Sequence, residues 1–161
     1  MTVDIVRATA DDWQQIRAVR LAGLEADPSA FGSTLERELT FTEDRWRAWP
    51  ATAAVYLARM GGRPVGIGLV RGLTGENADG EINAMWVDPE TRGTGVGRAL
   101  LQAMLESARA GGYQSVRLWV ITGNAAATTL YESLGFVRTG RTEPLLSDPQ
   151  LTVVEYVLAF G

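Results

Sequence analysis

The residues in this chain best suited to chemistry form a glycine-rich run, Arg92-Gly93-Thr94-Gly95-Val96-Gly97, set between an apolar segment ending at Val87 and an amphipathic one opening at Val96. A strand that feeds such a loop into a helix gathers unpaired backbone N–H groups at the positive end of the helix dipole, a place that binds phosphate. Glycine lets a pyrophosphate approach the backbone and tolerates positive φ. Arg92 and Arg98 are placed to add charge-assisted bonds of about 1.5 to 3 kcal/mol each. Local geometry would then outweigh the net charge of −4. The bland alternative is a tight strand-to-helix connection, and the hexapeptide alone leaves the two readings evenly balanced.

Rival phosphate motifs fail on spacing. A dinucleotide fingerprint needs Gly-x-Gly-x-x-Gly, but Gly93-x-Gly95 is followed by Arg98 and Gly95-x-Gly97 by Leu100. A P-loop needs Gly-Lys-Ser/Thr at its end, whereas Gly97 is followed by Arg98-Ala99.

Composition narrows the chemistry further. The chain has no cysteine and no histidine. Disulfides, thiolate metal sites and a cysteinyl acyl-enzyme are therefore removed, as are the usual general base and the usual zinc ligand. Carboxylates, tyrosine, arginine and backbone remain, and no metal is expected. The acidic balance gives no broad basic field, so nucleic acid is not an expected partner. No run of 18 apolar residues exists, and Met1-Thr2-Val3-Asp4 opens no basic-then-apolar leader. Neither a membrane span nor secretion is expected, and the cytoplasm is the default location.

A length of 161 residues, 46% of them hydrophobic, suits one core and one domain over 1–161. The pattern predicts a strand over Asp4 to Ala8, then a helix opened by a Thr9/Asp12 capping box and running to about Ala26. Ser29 to Thr42 reads as loop and short helix, and Glu43 to Trp49 as a helix stopped by Pro50. Strands over Ala54 to Met60 and Val65 to Arg71 flank a hairpin turn at Gly61-Gly62-Arg63-Pro64. A polar loop over Thr74 to Gly80 leads to a strand over Glu81 to Val87. After the glycine loop come a helix over Val96 to Ala110 closed by Gly111-Gly112, a strand over Ser115 to Val120, a helix over Asn124 to Leu134 with Gly135 as its cap, and strands over Phe136 to Thr139 and Thr152 to Phe160. The sum is an α+β fold: a mixed sheet of about seven strands with about four helices.

The stretch from Trp86 to Leu101, with Arg92, Gly95 and Gly97 filling Gln/Arg-x-x-Gly-x-Gly/Ala, resembles the coenzyme-binding motif of the GNAT superfamily of N-acetyltransferases. Asn124 to Phe136, one helix and one strand downstream, resembles the family's second motif, and most of the chain is similar to its layout. The resemblance implies acetyl-CoA as cosubstrate, with a bulged strand before the loop that splays from its neighbour and makes a slot for the pantetheine arm. It implies that Met85 and Val87 offer backbone bonds to that arm, that Gly93, Thr94, Gly95, Val96, Gly97 and Arg98 hold the pyrophosphate, that Asn124 touches the pantetheine region, and that Tyr131 lies near the thioester sulfur. Asp27 to Thr34 looks like a pattern in some uncharacterised family members, which names no substrate.

Acyl transfer from a thioester to an amine needs a neutral nucleophile, a stabilised oxyanion and a proton for the departing thiolate. Glu81 matches a position where some family members carry a glutamate that deprotonates the amine, often through water; Glu36 or Glu38 are the other candidates, and a solvated strand-start acid is the competing reading. Tyr131 matches the acid, with a pKa near 10 expected for its phenol, and backbone near Val87 the oxyanion hole. Without cysteine or histidine, direct attack in a ternary complex is more economical than an acyl-enzyme. Phe31, Ser33, Glu36 and Trp86 are expected at the acceptor mouth. Trp46, Trp49 and Trp119 fit packing better than a pocket wall. The expected acceptor is a primary amine of a small molecule or peptide, and a homodimer is the expected assembly. A non-catalytic acyl-CoA-binding or sensing module, or a simple phosphate binder, would share the loop.

Overall fold

The computed structural model describes residues 2–73 and 79–161, so most of the loop expected over Thr74 to Gly80 lies outside the described residues. Within the described residues seven strands form one sheet: β1 (Val3–Arg7), β2 (Ala54–Met60), β3 (Arg63–Gly72), β4 (Asp79–Val87), β5 (Ser115–Ile121), β6 (Val137–Leu145) and β7 (Asp148–Ala159), in the order β1-β2-β3-β4-β5-β7-β6. Among the described residues five α-helices accompany them: α1 (Trp13–Ala26), α2 (Leu35–Glu38), α3 (Glu43–Thr52), α4 (Val96–Ala110) and α5 (Ala125–Ser133). The single-turn α2 is the short helix expected within Ser29 to Thr42; Thr34 starts it by accepting the Arg37 N–H at 3.2 Å.

Local chemistry explains most boundaries. Thr9 N–H donates to Asp12 at 2.8 Å, closing the capping box, but the first turn after it is a short 3-10 segment and α1 proper begins at Trp13. The β2–β3 turn is Gly61-Gly62 alone, both at positive φ (58° and 77°), the backbone that a two-residue hairpin requires. Arg63 and Pro64 already belong to β3, opposite Met60 and Arg59. Pro50 does not stop α3, which runs on to Thr52. Proline removes one N–H near the helix end, while Ala53 N–H still reaches Trp49 O at 3.2 Å and completes the last turn.

Alternation along the strands divides the core between the two faces of the sheet. On one face α4 and α5 pack Leu100, Leu101, Met104 and Tyr131 against Val70, Ile82, Val116, Leu118 and Tyr156. On the other, α1 and α3 pack Ile16, Val19, Leu24 and Trp46 against Val55, Leu57, Ile67 and Leu69. On that second face the far half of the sheet carries charge instead: Glu155 of β7, 2% exposed, accepts from Thr139, Arg117 and Arg141 at 2.8, 3.2 and 3.3 Å.

The sheet is antiparallel except between β4 and β5, and those two pair over three positions only: Asp79 with Ser115, Gly80 with Val116 and Glu81 with Arg117. Beyond Glu81 the strands separate. On its other edge β4 carries a bulge: Asn83 faces Leu69 and Trp86 faces Ile67, so Ala84 and Met85 together face Gly68. Ala84 sits at φ 58°, the one non-glycine residue with positive φ among the described residues.

Candidate active site

The glycine loop leaves the mouth of this gap. After β4 a short 3-10 turn over Pro89–Thr91, begun by Asp88 accepting the Glu90 N–H at 3.0 Å, aims the chain into Arg92. Gly93 (φ 82°) and Gly95 (φ 89°) then turn it into α4, and a Cβ at either would meet no atom within 4 Å. Their requirement is conformational, and the space above them is open. Gly97 differs: its Cβ position lies 3.6 Å from Leu130 of α5 and 3.8 Å from Val87 of β4, so a small residue there lets the first turn of α4 sit between the two walls of the gap.

Whereas α2, α3 and α5 each start from a side-chain cap, α4 starts from Gly95 with none. The first bond back to Gly95 O comes from Ala99, at 3.0 Å. The N–H groups of Val96, Gly97 and Arg98 therefore have no partner within the helix, in a site of positive potential that fits a pyrophosphate.

The strand register also fixes what β4 offers the gap. Asp88 N–H donates to Val65 O at 2.8 Å, so the preceding Val87/Gly66 pair is the non-hydrogen-bonded kind, and the N–H and C=O of Val87 point away from β3 toward β5. The Val87 carbonyl is already engaged by Arg92 Nε at 3.0 Å. Arg92 also donates to Asp27 at 2.8 Å, so this guanidinium braces the loop's own structure as well as lending charge. Arg98 reaches Ser133 Oγ at 2.7 Å and ties the start of α4 to the end of α5.

Tyr131 sits on α5 in the wall opposite β4, 7% exposed, with its ring 5.8 Å from that of Phe136. Its phenol differs from the sequence expectation of a pKa near 10: burial alone pushes it up to about 12. Asn124 caps α5, its side-chain oxygen accepting the Ala127 N–H at 3.2 Å. That oxygen is therefore committed to the helix start.

Glu81 stands where the gap closes. One of its carboxylate oxygens accepts from Asn83 Nδ2 at 2.8 Å, and Arg71 reaches Asn83 Oδ1 at 2.9 Å and the same Glu81 oxygen at 3.7 Å. The side chain is 15% exposed, so the strand-start acid is a held group and not a freely solvated one. Of the alternative bases, Glu38 is excluded by its surroundings: both its oxygens are taken by Arg20 at 2.8 Å, and it is buried. Glu36 is exposed on α2, and Ser33 accepts from Arg37 at 3.1 Å.

The aromatic residues expected at the acceptor mouth are packed. Phe31 is buried beneath Arg20, whose guanidinium lies 4.6 Å from the ring centre. Trp86 is 6% exposed and donates its indole N–H to Asp27 at 2.8 Å. Gly23 makes room for both, since a Cβ there would come within 3.0 Å of each ring. The segment that carries Phe31 also meets the β6–β7 hairpin, where Ser147 Oγ donates to Phe31 O at 2.6 Å. Sequence reasoning did not find Asp27, Arg20 or Asn83 as parts of this arrangement; their partners lie on other elements, and the one nearby signal was the Asp27 to Thr34 stretch, which named no role for Asp27.

Comparison with known proteins agrees with this geometry. A family model described as the acetyltransferase (GNAT) family matches residues 19–136. A mycothiol acetyltransferase from Thermobispora bispora is 45% identical over 94 residues, which cover 56% of this chain and 32% of that protein. The matched segment is thus about a third of that relative's length. Among solved structures, an acetyltransferase of the GNAT family from Streptococcus pneumoniae superposes with TM-score 0.85 at 21% identity, covering 99% of this chain and all of the other. The yncA protein of Salmonella typhimurium, solved with its cofactor acetyl-CoA, superposes with TM-score 0.82 at 21% identity over 100% of this chain and 95% of its own. With the bulged, splayed β4, the uncapped start of α4 and a family model spanning most of its length, this chain belongs to the GNAT acetyltransferase family.

Proposed function

We propose that this chain transfers an acetyl group from acetyl-CoA to a primary amine of a small molecule or peptide, by direct attack within a ternary complex. The observation that carries the reading is the gap between β4 and β5, which begins beyond Glu81, leads to the uncapped start of α4 and has the Val87 N–H directed into it. Acetyl-CoA supplies the activated acyl group. The N–H groups of Gly93 to Arg98 hold its pyrophosphate, and the backbone of Met85 and Val87 holds the pantetheine arm as it runs back along β4. Asn124 borders that arm from the opposite wall.

In this reading the amine nitrogen bonds the thioester carbonyl carbon and the carbon–sulfur bond breaks. The proton lost by the amine goes to Glu81. Four strand residues rise about 13 Å, so Glu81 serves a reaction near Met85 through water. Asn83 and Arg71 keep one carboxylate oxygen occupied and leave the other for that water. Tyr131 donates a hydrogen bond to the departing sulfur. A lysine-like amine near pKa 10.4 is roughly one part in a thousand neutral at pH 7.4, a penalty of about 4 kcal/mol, so the base matters most for such acceptors.

The test is release of free thiol from acetyl-CoA against a panel of amines that includes amino acids, peptide N-termini and the acceptor of the mycothiol acetyltransferases. Turnover with one acceptor class, falling at least tenfold in Glu81→Gln, is the expected result. Coenzyme binding without thiol release across the whole panel would refute catalysis.

A further inference from the structure

Asp27 lies far from the glycine loop in sequence, yet a single oxygen of its carboxylate receives two bonds from the wall of the gap. Trp86 Nε1 donates to Oδ2 at 2.8 Å, and Arg92 donates from its terminal nitrogen to the same oxygen at 2.8 Å. The same Arg92 donates from Nε to Val87 O at 3.0 Å. A chain of bonds thus runs from the end of α1, through Asp27 and Arg92, to the peptide of β4 that faces the gap. Asp27 is itself held by the helix: its N–H reaches Gly23 O at 2.8 Å, and its carbonyl accepts from Ala30 at 3.0 Å, opening the turn that leads to Phe31. Gly23, packed against Phe31 and Trp86, gives that corner no slack.

Each connection has a consequence for the coenzyme side. Without the Asp27 oxygen, Arg92 keeps a single bond to Val87 O, and its exposed guanidinium is free to swing, since roughly half of its side chain faces solvent. In the loop that begins at Arg92, a Cβ at Gly93 or Gly95 would meet no atom within 4 Å, so at those two positions no packing holds the chain. Trp86, losing its partner, leaves an indole N–H unsatisfied in a residue 6% exposed, next to the bulge. The two effects converge on the segment from Met85 to Gly95.

We infer that Asp27 is a positioning residue for coenzyme binding, acting through Arg92 and Trp86 to fix the loop entry and the Val87 peptide. This rests on the reading of the gap as an acetyl-CoA site. It also gives a physical role to the Asp27-Pro28 stretch: the carboxylate that ends α1 joins the segment over the acceptor side to the coenzyme loop. Trp86 and Arg92 hold Asp27 below the usual carboxylate range, Trp86 being the larger cause and burial opposing both. The link is therefore ionised at neutral pH.

The test is steady-state kinetics and CoA calorimetry on the full chain with Asp27→Ala, Asp27→Asn, Arg92→Gln and the Asp27→Ala/Arg92→Gln double variant. Asp27→Ala is expected to raise the KM for acetyl-CoA and the Kd for CoA about tenfold, the lower range for a charge-assisted bond. The expected change in kcat is less than about twofold on the same scale. Asp27→Asn, which keeps the oxygen and loses the charge, should recover part of the affinity. The double variant should bind CoA less weakly than the two single effects combined would give, because both single changes break the same Asp27–Arg92 bond and only the Trp86 bond is lost in addition. Unchanged KM and Kd in Asp27→Ala would overturn the proposal, as would additive effects in the double variant or a fall in kcat with KM unchanged. Should Asp27→Ala fold poorly, Asp27→Asn and Trp86→Phe carry the same comparison. Wild-type protein that binds no CoA would instead overturn the acetyl-CoA reading itself.

Discussion

Replacing Tyr131 by phenylalanine tests the chemistry at one atom. The ring is buried against Phe136, and burial alone raises its phenol to about 12. Phenylalanine keeps the packing and removes only the hydroxyl, so the fold should tolerate the change. A phenol at about 12 facing a thiol whose pKa is near 8.5 is a poor proton source: complete transfer to the thiolate is uphill by about 3.5 units, or about 5 kcal/mol. In the proposed mechanism the hydroxyl therefore serves as a hydrogen-bond donor to the sulfur and keeps its own proton throughout. A bond of that kind to a charged atom contributes about 1.5 to 3 kcal/mol, which corresponds to a fall in kcat of about 10- to 150-fold. Thiol release with a colorimetric reagent is a clean assay, because the chain contains no cysteine of its own. The wild-type rate should show no alkaline limb assignable to Tyr131 up to about pH 11. Less than about a threefold loss in Tyr131→Phe, or a limb near pH 10 that vanishes in this variant, would refute the reasoning.

Three further outcomes follow from packing and charge. Arg20→Met leaves Glu38 buried without its paired cation and should cost about 3 to 5 kcal/mol in denaturant unfolding, whereas Arg20→Met/Glu38→Leu should cost less than the single change. Burial pushes the Glu38 carboxyl up, but the bonds from Arg20 bring it below its ordinary 4.5 overall. Its stabilisation is thus complete above about that value and lost as pH falls through the depressed one, so the acid limb of wild-type stability should shrink in the double variant. Gly95→Ala meets no steric obstacle but forces φ 89° on a side chain, so melting should register about 1 to 2 kcal/mol and the KM for acetyl-CoA should rise.

What the chain reveals about itself depends on how far apart the interacting residues lie. The place of the β2–β3 hairpin, though its turn was read two residues too long, the extent of α4 and the Gly111-Gly112 stop were readable because a few neighbouring residues decide each. The bulge of β4 was available only through family likeness, since Ala84 takes positive φ without a glycine or asparagine to mark it. Pro50 was misread because a proline signal speaks for one bond, while the register of a whole turn determined where α3 ends. At the site, the glycine loop was legible and its brace was not. Asp27 meets Trp86 and Arg92 across 59 and 65 residues, and Arg20 meets Glu38 across 18. The buried environment that moves Tyr131 is likewise set by elements distant in sequence.

The three-residue contact between β4 and β5 makes the sheet a pair of antiparallel leaves joined by a narrow seam. Amides that face the opening lack the strand partner that would slow their hydrogen exchange, and the Val87 N–H is one of them. Coenzyme lying in that opening would bridge the leaves and supply the missing partner. At a hundredfold excess over its Kd it would add about 2.7 kcal/mol of apparent stability. The protection should appear along β4 from Met85 to Val87 and at the first N–H groups of α4, which makes an exchange map with and without CoA a footprint of the ligand read from the protein's own backbone.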